Sequence, residues 1–153
     1  MGYAFLDPSG DPARVIACGL VAPLPGGTTA ERLLVIATAL DALIAEHAPG
    51  ALAIERLYFN KNAKTAMAVA EARGVALLCA ARAGLHVAEY TPQEVKQSVT
   101  GNGSADKKAV QRMLRILLSL EEPLRQDNVA DAVAIAVTHA QRSKFESAIA
   151  LAR

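Results

Sequence analysis

Two short stretches of this 153-residue chain put oxygen-bearing side chains where a folded scaffold would hold them still. ALAIERLYFN, residues 51–60, is an apolar strand interrupted by Glu55, with Arg56 beside it and Tyr58 and Phe59 just beyond. A carboxylate at the end of a buried strand is costly unless it is paired, hydrogen-bonded or bound to a metal. Arg56 is a poor partner for it, because successive strand residues point to opposite faces. Another cation or a metal remains. In DNVADAVAIAVTHA, residues 127–140, Asn128 lies three residues and Asp127 four residues before Asp131, so all three side chains can converge at the start of a helix. The helix dipole explains Asp127 well and Asp131 less well. A set of oxygens with one or two carboxylates suits Mg²⁺, which keeps waters that a phosphate can displace. Two such ions would serve an in-line phosphodiester displacement.

These residues need a sheet and helices to carry them. GYAFLD (2–7) and RVIACGLVAP (14–23) read as two antiparallel strands around the turn-forming PSGDP at 8–12. Thr28 or Thr29 caps a long amphipathic helix that runs to about His47, where Pro49 and Gly50 stop it. The strand LAIERLYF follows. From Asn62 an alanine-rich pattern is helical, interrupted at Gly74 where a close contact is expected. HVAEYTP (86–92) is a short strand and QEVKQSV a short helix. The GNGS loop at 101–104 ends in Ser104, expected to cap the helix ADKKAVQRMLRILLSL, and a last helix begins near Asn128 with Val129, Ala132, Val133, Ala136 and Val137 on its packed side. Alternating strands and helices predict an α/β fold, a sheet with helices on both faces.

Composition bounds what such a fold can meet. With 52% hydrophobic residues the chain can bury one core, and a single domain over 1–153 is the expectation. A formal net charge of +1 requires any polyanion to be bound by a local basic face. Between residues 91 and 115 such a face exists: Lys96, Lys107, Lys108, Arg112 and Arg115 stand against Glu94 and Asp106. Amides around Gly101 and Gly103 either approach a phosphate or form an ordinary connector. Arg56, Lys61, Lys64 and Arg73 add charge near Glu55, with Lys64 and Arg73 read as a solvated helix face. Cys18 and Cys79 lie in apolar runs without metal-like spacing and read as buried, reduced thiols. No stretch reaches the roughly 18 uninterrupted apolar residues of a membrane span, and no charged segment leads a long apolar run at the N-terminus. A cytoplasmic protein with no membrane partner is expected.

The runs IERLYFNKNAKTAMAVAEARGV, YTPQEVKQSVTGNGSADKKAVQRML and DNVADAVAIAVTHA, in that order, resemble the RuvC family of Holliday junction resolvases over most of residues 2–142. The resemblance implies an RNase H-like mixed sheet and a homodimer that cuts two opposed strands of a four-way DNA junction with Mg²⁺, working beside a branch-migration motor complex. It also implies roles. Glu55 matches a metal-binding glutamate at a strand end, and Asp131 matches the last acidic residue of the C-terminal helix. Asn128 falls where many members carry another catalytic aspartate and some a histidine. Catalytic and metal-binding positions are therefore Glu55, Asn128 and Asp131. Tyr58 matches an aromatic residue that contacts a base, Lys96 and Lys107 match DNA-contacting lysines, and Lys108 and Arg112 extend the same basic face.

The chain departs from the family pattern in two places. Asn128 offers an amide oxygen without charge, which weakens a metal site unless Asp127 contributes. The family's Ile-Asp-Pro-Gly strand, whose aspartate is a metal ligand, has no counterpart if Gly2-Tyr3-Ala4-Phe5 is the family's second strand. Asp7 then belongs to the turn between strands two and three, and the chain is N-terminally truncated relative to the family. Impaired cleavage with surviving junction binding is the consequence expected. A non-cleaving junction binder, or an RNase H-like module acting on other nucleic acids, are the alternatives.

Overall fold

A Thr28 side chain that accepts from the Glu31 amide, with Glu31 reaching back to the Thr28 amide at 2.7 Å, starts the first long helix. Such reciprocal caps recur, and they explain why the sequence marks its helices so clearly. The computed structural model describes residues 1–23, 25–57 and 63–151, with the side chains of 63–65, 147, 148, 150 and 151 outside the description. The elements are β1 (Gly2–Asp7), β2 (Arg14–Leu20), α1 (Thr29–His47), β3 (Ala51–Glu55), α2 (Ala63–Arg82), β4 (His86–Tyr90), α3 (Pro92–Thr100), α4 (Lys107–Leu117) and α5 (Asp127–Leu151). They group into two compact units, one of Met1 and Val21–Glu89, the other of Gly2–Leu20 and Tyr90–Arg153.

In the first unit α1 packs against α2, with Ile36, Ala76, Cys79 and Ala80 buried, and β3 pairs with β4. Helix α2 runs through Gly74, which is exposed and has open space where a Cβ would stand. The expected interruption is absent: one glycine costs a helix about 1 kcal/mol, too little to break twenty residues of mostly good helix formers. Strand β3 ends at Glu55 rather than continuing through the aromatic pair, and Tyr58 and Phe59 lie outside the described residues.

The second unit is built on α5. Strands β1 and β2 pair antiparallel from Gly2 opposite Leu20 to Asp7 opposite Arg14, with an irregularity between Phe5 and Leu6, and α5 packs on both. Asp7 is the last residue of β1, opposite Arg14 where the turn begins. Among the described residues the strands form two two-stranded ladders, β1 with β2 and β3 with β4. Cys18 is exposed, contrary to expectation, because β2 alternates and turns Arg14, Ile16, Cys18 and Leu20 outward. The buried stripe of α5 is Val129, Ala130, Val133, Ala134 and Val137, about one residue round the helix from the sequence reading.

Caps differ from the sequence reading at α4. Asp106, not Ser104, is the cap, and its side chain accepts from the Ala109 amide at 2.7 Å. Both residue types suit the position, and only the backbone path selects between them. At α3 Thr91 and Glu94 form a full capping box behind Pro92. The Thr91 backbone hydrogen bond holds the Glu94 carboxyl below its usual range of about 4.5. Thr91→Ala is expected to cost about 1 kcal/mol by urea unfolding at pH 7. The contribution of Glu94 has a defined pH sign. A lowered folded value means its stabilisation is present above 4.5 and is lost as pH falls through the lower folded value. Glu94→Gln should therefore match wild-type stability in strong acid and fall short of it at neutral pH.

Candidate active site and nucleic-acid face

Glu55 stands at the last residue of β3 and is exposed, so the burial cost invoked from the sequence does not apply to it. Its strand end is nevertheless fixed. Arg73, from the middle of α2, donates from Nε to the Glu55 carbonyl at 3.1 Å and pairs with Glu89 of β4 at 2.8 Å. Arg56 turns to the same Glu89 at 3.8 Å, which agrees with the geometric objection to an Arg56–Glu55 pair. Arg73 is only 20% exposed, so reading it as a solvated cation is wrong. It sits 18 residues from Glu55 in sequence, and no local pattern announces that contact. Arg73→Met should lower stability by about 1–2 kcal/mol, read as a lower urea midpoint at unchanged m-value. Arg73→Lys should recover part of it, because an ammonium reaches one of these acceptors but does not fork to both.

In the second unit Asp127, Asn128 and Asp131 lie in the first turn and a half of α5, all exposed as residues. Desolvation nonetheless raises the Asp131 carboxyl above its usual range, with Lys107 opposing and Asp127 reinforcing the shift. Lys107 pairs with Asp127 at 3.2 Å, and Gln111 donates to the other Asp127 oxygen at 3.3 Å. The ammonium of Lys107 is held protonated first by Asp127 and then by Asp131. Gly2 explains how β1 reaches this place: a Cβ there would collide with the Asn128 carbonyl, so glycine allows the strand to abut the helix start.

That contact also decides the position of Asp7. Five residues of strand separate it from Gly2, about 17 Å at 3.3 Å per residue. At its own end, Lys144 donates to the Gly10 carbonyl at 3.2 Å and acts on Asp7. Lys144 lies thirteen residues beyond Asp131, about 20 Å along the helix. Asp7 accepts from the Ser9 amide at 2.9 Å and faces Arg14 at 4.0 Å. It closes β1 at the end of the strand far from Gly2 and the start of α5.

The donors at the start of α5 are hard oxygens and fit a cation of the Mg²⁺ type in chemistry. Among the described residues no group of three or more His, Cys, Asp or Glu side chains could hold a metal.

The basic residues differ in how they are presented, and the glycine loop is not available beside them. Lys108 and Arg112 are exposed one helical turn apart on α4, Lys96 is half-buried on α3, and Arg115 donates to the Leu120 carbonyl. Loop amides are already used: Gly101 and Gly103 donate to Gln97, Asn102 to Thr100, and Ser104 and Ala105 to Asn102. The loop is a connector. Tyr58 lies outside the described residues. The sequence also gave no sign of a buried Tyr90 whose hydroxyl bonds His139 Nδ1 at 2.9 Å under the Arg142 guanidinium. This ties the start of α3 to the middle of α5. No helix among the described residues is long and apolar enough to cross a membrane.

Comparison with known proteins gives one answer. The family model described as crossover junction endodeoxyribonuclease RuvC matches residues 1–139. The protein of that name from Alkaliphilus metalliredigens is 47% identical over 147 residues, 96% of this chain and 90% of the relative. The one from Heliobacterium modesticaldum is 48% identical over 136 residues, 89% and 84%. Among solved structures, Thermus thermophilus RuvC superposes with a TM-score of 0.81 at 31% identity, covering 95% of this chain and 97% of that one. T. thermophilus RuvC in complex with Holliday junction substrate gives 0.85 at 32% identity, covering 95% and 96%.

Proposed function

The chain belongs to the RuvC family of crossover junction endodeoxyribonucleases, with its RNase H-like fold, and from that membership we propose that it binds four-way DNA junctions and resolves them by paired cuts in opposed strands. The observation that best supports this is the meeting of acidic and basic groups in one unit. Asp131 lies in the second turn of α5 while Lys107, Lys108 and Arg112 lie on the neighbouring α4.

In this reading Glu55, Asn128 and Asp131 supply oxygens to a divalent cation, Mg²⁺ by donor chemistry. When bound, that cation would activate water and stabilise the leaving oxygen of an in-line displacement. The protein's part is to hold the donors: Arg73 secures the strand end that carries Glu55, and the Gly2 contact seats the backbone of Asn128. Lys96, Lys107, Lys108 and Arg112 contact phosphates, which position the duplex without reading sequence. Tyr58 stacks on an exposed base. A homodimer presents two such sites to one junction, residues 1–153 act as a single nuclease domain, and a branch-migration motor and a cytoplasmic location accompany the family role.

Asn128 favours a second reading, junction binding without cutting. The two separate on an end-labelled four-way junction incubated with Mg²⁺ and with EDTA. Symmetric paired nicks that EDTA abolishes support resolution; binding with intact strands under both conditions supports the second reading. Equal affinity for linear and four-way DNA would refute both.

A further inference from the structure

The lysine matched to a DNA contact is not free in this protein. Its ammonium is 3.2 Å from Asp127, whose second oxygen accepts from Gln111, one turn further along the same helix. Resting on α4 as a DNA-binding face, we propose that Asp127 is a built-in competitor for the phosphate that Lys107 would otherwise hold, and that it sets DNA affinity instead of binding metal. Both Asp127 oxygens are occupied by N–H donors from α4, which leaves the carboxylate turned toward that helix and away from a metal role. Lys107 and Asp127 are 67% and 59% exposed, so the pair is weak enough to open when a phosphate arrives. Lys108 and Arg112, also exposed on α4, form no ion pair among the described residues, so the masking is confined to one cation of the face.

Mutual exclusion gives the proposal a sign. A lysine that must leave a carboxylate before meeting phosphate contributes less to binding than one that is free. The test is the dissociation constant for a four-way junction and for linear duplex, in EDTA, across a salt series, using wild type, Asp127→Asn, Lys107→Met and the double variant. Asp127→Asn is expected to tighten both complexes about three- to tenfold at low salt, and to steepen the log–log salt slope by about one phosphate contact. In the Lys107→Met background the gain should largely vanish. The same gain in both backgrounds would mean simple repulsion between Asp127 and DNA, and overturns the proposal. Weaker binding by Asp127→Asn would make Asp127 a positioning residue for Lys107, and no change would reduce the pair to a tie between α4 and α5; either result also overturns it. A wild-type chain that binds neither DNA defeats the functional reading first, and this inference with it.

Discussion

Asp131→Asn is expected to lower junction cleavage by on the order of a thousandfold, about 4 kcal/mol of transition-state stabilisation, while leaving junction affinity unchanged or slightly tighter. The substitution is nearly isosteric and the residue is exposed, so the fold has little reason to respond. What changes is a carboxylate that, unlike Asp127, forms no hydrogen bond to α4 among the described residues. Removing a negative charge beside basic residues also lowers the repulsion felt by an approaching phosphate. Single-turnover cleavage and binding in EDTA, measured on the same preparation, separate the two quantities. Glu55→Gln should behave alike, because the residue is exposed and Arg73 fixes its strand end through the backbone carbonyl, which the substitution leaves in place. A variant at either position that cuts at the wild-type rate removes that residue from the site. A variant that loses binding and melting temperature together points to a structural ion pair.

Glu55 and Asp131 stand out in the sequence as candidates because each breaks a strong local pattern, a carboxylate within an apolar strand or beside an apolar helix stripe. Helix starts were legible for a related reason: Thr28 with Glu31 and Thr91 with Glu94 are capping boxes readable over four residues. What escaped is everything that depends on distant chain segments meeting. Arg73 looks like any cation on a helix until α2 brings it to the end of β3. Lys107 and Asp127 are 20 residues apart, and only the packing of α4 on α5 makes them a pair. Gly2 carries no signal in its own stretch, yet its missing Cβ is what admits the Asn128 carbonyl. The choice between Ser104 and Asp106 as a cap likewise lies in backbone direction, which residue type does not encode. The pairing of strands in two ladders is a long-range property of the same kind.

Asn128→Asp is the change expected to gain function. In the metal-free protein the new carboxylate would stand between Asp127 and Asp131 in one turn of helix, and like charges at such spacing destabilise. The N-terminus of α5 returns part of that cost, since a helix start favours negative charge by about 0.3–1 kcal/mol. Lys107 returns a little more. The net result in EDTA should be a small loss of melting temperature. With Mg²⁺ the sign should reverse, because the third acidic group turns repulsion among carboxylates into attraction for a cation. About a tenfold gain in Mg²⁺ affinity corresponds to about 1.4 kcal/mol, and saturating metal converts it into stability of the folded chain. Scanning calorimetry of wild type and variant, each in EDTA and in a Mg²⁺ series, reads this crossing directly, without requiring that either protein cut DNA. Curves that shift equally with and without Mg²⁺ would show that position 128 does not face a metal.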